Sequence, residues 1–378
     1  MYSKLLPFNM KKVIVISAIN FFEGGPLSVL KDCLEYANSD DFINYHVIAL
    51  IHKEDILDIS KYSSITFLEF PKSRKSYIYR LYYEYFYFRK IAKHYRVDFW
   101  LSLHDITPNV GDVPQATYCH NPSPFNSINF SDLFVQPTQF FFSLFYKYLY
   151  KINIHKNKYL IVQQLWIKEN FERMFAIPQE KIIISKPQVP LIPQEYISTY
   201  QKGNKTIFFF PTFPRPFKNI EVIGEAVANL KKSGIHNFEV FITLDGTENK
   251  YSKKIVKKYG SYTNIKFIGL IPREEVYAYY SKVDCLIFPS KLETWGLPIS
   301  EFKQFDKPII VSDLPYAKET VNSYDKVSFF DPTNALELSA KMQMQIENQR
   351  PIYESTELIK YPDPHVASWS ELFFRLLN

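Results

Sequence analysis

The chain has little cysteine. Cys33, Cys119 and Cys285 are the only three in 378 residues, odd in number, widely spaced and without a C-x-x-C pair. Such a set excludes a disulfide framework and a cysteine-built zinc site, and it suits a reducing cytoplasm. Long apolar runs are also missing: no stretch of about 18 or more apolar residues offers itself as a membrane-crossing helix. Met1 to Lys12 is polar and Val13 to Ile19 is short, so no secretory signal is expected. Absent, too, is G-x-G-x-x-G after the first apolar segment, which counts against an NAD-dependent dehydrogenase.

What the chain does have is length and apolar content for two cores. Single cores seldom grow past about 250–300 residues, and 46% of the residues are hydrophobic. Aromatic residues reach 17%, with 28 Tyr and 33 Phe, enough to leave aromatic surface exposed. The formal charge of +6 is unevenly placed, because 13 Lys/Arg against 6 Asp/Glu fall between Phe70 and Asn170. A basic aromatic region suits an anionic membrane, an acidic substrate or nucleic acid. No recognised nucleic-acid-binding module accompanies it, so nucleic acid is not expected as a partner.

In the first half, Val13-Ile14-Val15-Ile16-Ser17 reads as a buried parallel strand. It leads to Gly24-Gly25 and to Leu27, Leu30, Lys31 and Leu34 at helical spacing, the first βα unit of a Rossmann-like sheet. Further strands are expected at Tyr45 to Ile51, Ile65 to Phe70, Phe99 to Leu103 and Ala116 to Cys119. A helix from Ser76 to His94 carries Tyr77, Tyr79, Tyr82, Tyr83, Tyr85, Phe86, Tyr87 and Phe88 among Arg80, Arg89, Lys90 and Lys93. A second aromatic and basic stretch runs from Phe140 to Lys158. Both read either as interfacial anchors or as core-packing helices with solvated lysines. His120 is delivered to a strand end, where open α/β sheets bind ligands, and Pro122 and Pro124 extend the loop behind it. A strand–helix–strand unit from Tyr159 to Ile184 follows, and Pro187, Pro190 and Pro193 stiffen a linker at about 186–204.

The second half opens with a strand at Thr206 to Phe210. The proline-rich corner after it holds Arg215 and Lys218, cations of the kind a diphosphate needs. A strand from Phe238 ends at Asp245-Gly246-Thr247, and an apolar run from Ile265 leads to Pro272 and Arg273. The densest stretch runs from Pro289 to Glu301. Strand Cys285 to Phe288 feeds a loop ending at Gly296, and Pro298 favours the first position of a helix that continues to Phe305. Amides around Gly296, Leu297 and Ile299 then sit at a helix start, which suits phosphate or sugar oxygens. Glu293 and Glu301 flank that start, although solvated carboxylates are welcome there without any ligand.

The spacing E-x7-E inside P-S-x-x-E-x-x-G-L-P-x-x-E, followed by Lys307-Pro308-Ile309-Ile310-Val311-Ser312, resembles the donor-site signature of retaining GT-B glycosyltransferases of the family 4 type (glycosyl transferases group 1). Two other stretches are similar to that family's motifs: His120-Asn121-Pro122-Ser123-Pro124-Phe125, and Ile265 to Val276. The resemblance implies that Glu293 meets donor-sugar hydroxyls, that Thr294, Trp295, Gly296 and Leu297 meet sugar and phosphate, and that Glu301 binds the ribose. It further implies diphosphate binding by Arg215 and Lys218, nucleotide contacts at Gly246, Ile271 and Arg273, close donor approach at Gly24 and Gly25, and a sugar contact at His120. Two residues separate Arg215 from Lys218, where the family usually has about five.

The expected fold is therefore α/β, GT-B, with two Rossmann-like domains whose parallel sheets face each other across a cleft. The expected domains are 1–190 on the acceptor side, 205–355 on the donor side, and a terminal helix in 356–378 that returns to the first. The implied reaction moves a hexose from a nucleoside diphosphate sugar, UDP or GDP undecided, to a hydroxyl of a growing surface glycan or lipid-linked saccharide. His120 and Glu293 are the expected catalytic residues. Without a D-x-D pair at the donor site, no metal is required, and no cofactor is expected beyond the donor itself. The expected location is cytoplasmic, with an anionic membrane face as a further partner. A nucleotide-sugar epimerase of the same fold and a non-catalytic glycan- or membrane-binding protein are the alternatives.

Overall fold

The computed structural model describes residues 11–125, 145–197, 203–348, 353–354 and 358–378. The chain divides into two compact units, one made of Met1–Pro187 with Tyr361–Asn378 and the other of Gln188–Lys360.

The first unit is built on eight strands: β1 (Lys12–Ala18), β2 (Tyr45–Ile51), β3 (Ile65–Glu69), β4 (Phe99–Ser102), β5 (Gln115–Tyr118), β6 (Tyr159–Val162), β7 (Ile182–Ser185) and, from the end of the chain, His365–Val366. They form one sheet in which β1 pairs in parallel with both β2 and β4. Aliphatic runs such as Val-Ile-Val-Ile in β1 suit this position, because a parallel sheet covered on both faces needs apolar side chains on both. On one face Ile14 and Ile16 pack with Leu30, Cys33 and Leu34 of the helix Gly24–Ala37, and with Leu372, Phe373 and Leu376 of the terminal helix Trp369–Leu377. On the other, Val15, Ile48 and Trp100 meet Phe88, Ile91 and Ala92. All three cysteines are buried and unpaired.

The expected helix from Ser76 to His94 has a wide turn in it. Tyr77–Tyr82 is α-helical, Tyr83–Tyr87 winds as a π-helix, and Phe88–His94 is α-helical again. A π turn leaves carbonyls without their usual partners and is often tied to a special site. Asn109 takes up both: its N–H donates to the Glu84 carbonyl at 2.9 Å and its Nδ2 to the Tyr85 carbonyl at 3.3 Å. Arg80, Glu84 and Phe88 face inward and are buried, while Ile78, Tyr82 and Phe86 are exposed. Of the stretch Phe140 to Lys158, residues 140–144 lie outside the described residues.

The second unit has six strands: β8 (Thr206–Phe210), β9 (Phe238–Ile242), β10 (Ile265–Phe267), β11 (Cys285–Phe288), β12 (Ile309–Ser312) and β13 (Val327–Phe330). Their spatial order is β10-β9-β8-β11-β12-β13, all parallel. The order reverses between β8 and β11, and loops leaving the carboxyl ends of strands at such a point frame the usual ligand crevice of an open α/β sheet. Those two loops are residues 211–219 and 289–296.

Candidate active site

Within the second unit, the loops after β8 and β11 are stapled together. Lys291 N–H donates to the Phe217 carbonyl at 2.7 Å. Asn219, buried and in the left-handed conformation at φ +57°, donates from Nδ2 to the Pro289 carbonyl at 3.1 Å and to the Pro332 carbonyl at 2.8 Å. The Lys218 ammonium donates directly to Glu293 Oε1. Both side chains are largely withdrawn from solvent, at 17% and 14% exposure. Two of the expected site residues, 75 positions apart in sequence, are thus in contact.

The loop from Ser290 to Gly296 is held from behind by the helix Pro315–Val321. Tyr316 donates its hydroxyl proton to the Ser290 carbonyl at 2.7 Å, and Thr320 does the same to the Trp295 carbonyl. Trp295, buried, donates Nε1–H to Ser300 Oγ at 2.9 Å. Gly296 has φ +86°, a backbone conformation that side chains with a Cβ rarely adopt. A short helix, Leu297–Phe302, then begins with Pro298 in its first turn, and the 3₁₀ turn Lys303–Phe305 continues it. Glu301 is buried on that helix, and both of its oxygens are engaged. Arg273 donates to Oε1 at 2.6 Å and Tyr280 to Oε2 at 3.2 Å.

Of the remaining expected donor residues, Arg273 belongs to one of these pairs. Arg215 is exposed, with its guanidinium 5.7 Å from the Phe213 ring. Gly246 needs its glycine for φ +96°, and its amide is already taken: Glu248 accepts from Asp245 N–H at 2.8 Å and from Gly246 N–H at 3.1 Å. Ile271 is half-buried and lies two residues before the helix Arg273–Lys282. Arg273 leans on Glu301 and over Tyr277, 5.6 Å from its ring centroid.

In the first unit, Gly24 has φ +67° and a Cβ at Gly24 or Gly25 would meet nothing within 4 Å, so packing does not demand the pair. The same loop supplies Phe21, whose ring meets His120 edge-on at 5.6 Å. His120 also stacks flat on Tyr118 at 4.2 Å. Its ring hydrogen-bonds the Leu103 carbonyl, whereas Nε2 is buried with no partner in the described structure. Burial lowers its pKa to about 4, so at neutral pH it is an uncharged imidazole with an open acceptor nitrogen.

Sequence reasoning missed what holds this histidine. Asp105, itself left-handed at φ +70°, accepts from His120 N–H at 2.6 Å, Asn121 N–H at 3.0 Å, Tyr150 OH at 3.0 Å and Tyr146 OH at 3.3 Å. Beneath it, Arg80 donates to the His104 carbonyl at 2.8 Å, and Ser17 Oγ lies 3.1 Å from His104 Nε2. The one available signal was an Asp and a His side by side just past the strand at Phe99. Among the described residues no group of three or more His, Cys, Asp or Glu side chains is arranged to hold a metal ion.

Residues 195–361 match the family described as Glycosyl transferases group 1. The O-antigen chain mannosyltransferase RfbU of Salmonella typhimurium (strain LT2) is 22% identical over 235 residues, 61% of this chain and 64% of that protein, so the match spans less than two thirds of the relative. The crystal structure of a glycosyltransferase from Rickettsia africae ESF-5 is similar with a TM-score of 0.64 at 17% identity, covering 89% of this chain and 88% of that one. HepE of Anabaena, solved in complex with UDP and glucose, has a TM-score of 0.62 at 13% identity, covering 90% and 91%. Such identities speak for the fold, and the family match covers the unit that carries the stapled loops. The match to that family lies within residues 195–361, and the chain has the GT-B fold of these glycosyltransferase structures.

Proposed function

We propose that this protein is a retaining glycosyltransferase that moves a hexose from a nucleoside diphosphate sugar to a hydroxyl of a growing surface glycan or lipid-linked saccharide. The observation that carries the reading is the contact between Lys218 and Glu293 at the reversal point of the second sheet. It sets a phosphate-binding cation beside a hydroxyl-binding carboxylate, the two chemistries that a sugar diphosphate joins by one bond. Glu293 takes sugar hydroxyls, Glu301 the ribose, and Lys218 with Arg215 the diphosphate. Their positive charge stabilises the departing phosphate as negative charge develops on it. The acceptor attacks the face that the phosphate leaves, and the leaving phosphate takes the acceptor's proton. His120 contributes an uncharged acceptor nitrogen for a sugar hydroxyl. Cations in these roles make a divalent metal unnecessary.

The relative named for O-antigen chain mannosyl transfer supports a surface-glycan acceptor and mannose among the hexoses. No helix among the described residues is long and apolar enough to cross a membrane. The exposed Tyr77, Ile78, Tyr79, Tyr82 and Phe86, with Lys72, Lys75, Arg89 and Lys90 around them, support peripheral attachment to an anionic bilayer. A thermal-shift screen with UDP, GDP and their sugars tests the reading. Stabilisation by one nucleotide, and transfer of its sugar to an acceptor with the anomeric configuration kept, are expected. Conversion of the sugar with no acceptor present would instead identify an epimerase, and no response to any nucleotide would leave a glycan- or membrane-binding protein.

A further inference from the structure

Both carboxylates assigned to the donor's hydroxyls already hold cations inside the second unit. Lys218 occupies Glu293 Oε1, and Arg273 with Tyr280 occupies both oxygens of Glu301. The first pair cannot part by loop movement alone, because Lys291 N–H and Asn219 Nδ2 tie the two backbones together at 2.7 and 3.1 Å. A diphosphate reaching Lys218 therefore arrives beside the Glu293 carboxylate. We propose that donor binding exchanges partners at Lys218: the diphosphate displaces Glu293, and the freed carboxylate is satisfied by hydroxyls of the attached sugar. Glu293 thereby discriminates the intact donor from the nucleoside diphosphate left after transfer.

The charge chemistry gives the direction. An ammonium has three donors and no acceptor, and a diphosphate carrying about two charges attracts it more strongly than a single carboxylate does. While the sugar is present, its hydroxyls donate to Glu293 and compensate the lost ion pair. Once the sugar has left, Glu293 is a largely buried carboxylate facing a diphosphate with nothing to accept, and an unpaired charge so placed is costly. Lys218 returns to Glu293, and the by-product leaves. The exchange rests on the donor-site reading above, and its test separates the two.

The experiment is titration calorimetry of UDP and GDP, and of the corresponding sugar nucleotides, on the full chain and on Glu293→Gln, Glu293→Asp, Lys218→Met and the Lys218→Met/Glu293→Gln pair. Glu293→Gln should bind the nucleoside diphosphate about tenfold more tightly, a difference of about 1.4 kcal/mol, and the sugar nucleotide no more tightly. Glu293→Asp, which draws the carboxylate back by one carbon, should move the same way by less. In the Lys218→Met background the substitution at Glu293 should bring no such gain. Unchanged or weaker nucleoside diphosphate binding in both Glu293 variants overturns the exchange while leaving the donor reading standing, as does a gain that persists without Lys218. Failure of the unaltered chain to bind any nucleoside diphosphate overturns both.

Discussion

Glu84 Oε1 lies 3.2 Å from His104 Nδ1, with both side chains closed to solvent. Burial pushes the Glu84 carboxyl up to about 8, against the pull of Arg80, and pushes His104 well below its usual range. The two shifts agree on one charge state: at neutral pH Glu84 keeps its proton and His104 is an uncharged imidazole.

The sign of the resulting pH dependence follows by linkage. Unfolded, Glu84 is ionised above about 4.5; folded, it keeps its proton. Its contribution is therefore full below that value and is lost as pH rises through about 8. His104 acts oppositely, since its lowered folded pKa costs stability only as pH falls below 6.5. Glu84→Gln keeps the shape and removes the titration, so the variant should lose stability less steeply than the unaltered chain between pH 6.5 and 8. Urea unfolding at pH steps across that window measures it, and parallel profiles for the two proteins would refute the assignment.

Asn219→Ala should destabilise the second unit by about 3 kcal/mol, from two lost buried hydrogen bonds and an alanine forced into the left-handed region. Asn219→Gly relieves the backbone term alone and should recover roughly 1 kcal/mol. Chemical denaturation checks both values. Equal losses for the two variants would mean that the backbone conformation at φ +57° costs nothing.

Much of this architecture is legible in the chain. Cys285–Phe288 and Trp369–Leu377 announce themselves by a short apolar run and by an apolar face at helical spacing. The E-x7-E spacing around Gly296 and Pro298 points directly to the loop and helix that follow β11. The pairing of Lys218 with Glu293 is not legible, because it depends on β8 lying beside β11 rather than only beside its sequence neighbour β9. Nor is it legible that Arg80 and Glu84 are buried against His104, because that contact joins the helix to a strand end about 20 residues away. Asp105 is hidden for a similar reason, since the donors it gathers come from residues 120, 121, 146 and 150.

Treatment with a chelator should leave the transfer rate unchanged. The cations proposed for the departing phosphate are Lys218 and Arg215, which no chelator removes. A rate that falls with chelator and returns with added magnesium or manganese would contradict that set.

Arg215→Ala should weaken nucleoside diphosphate binding several-fold with little effect on stability. The Arg215 side chain is exposed and lies near the Phe213 ring at 5.7 Å, and substitutions at such positions usually stay within about 0.5 kcal/mol. Calorimetric affinity and the melting temperature, measured on the same sample, separate the two effects. Unchanged affinity would remove Arg215 from the phosphate site.

The helix after Ser76 sets up the last prediction. Ile78, Tyr82 and Phe86 follow one another at four-residue spacing, and Ile78 and Phe86 are 79% and 69% exposed. Large apolar side chains left in water on one face call for a partner. The exposed Lys72, Lys75, Arg89 and Lys90 beside them favour one with negative charge. Ile78→Ser combined with Phe86→Ser should reduce sedimentation with phosphatidylglycerol vesicles tenfold or more, because burial of apolar side chains drives interfacial binding. Raising salt should weaken the unaltered protein's binding as well, by screening the lysines and arginines. Neither serine replaces a core side chain, so melting temperature should hold. Equal sedimentation of the double variant and the unaltered chain would show that these apolar side chains serve something other than a bilayer.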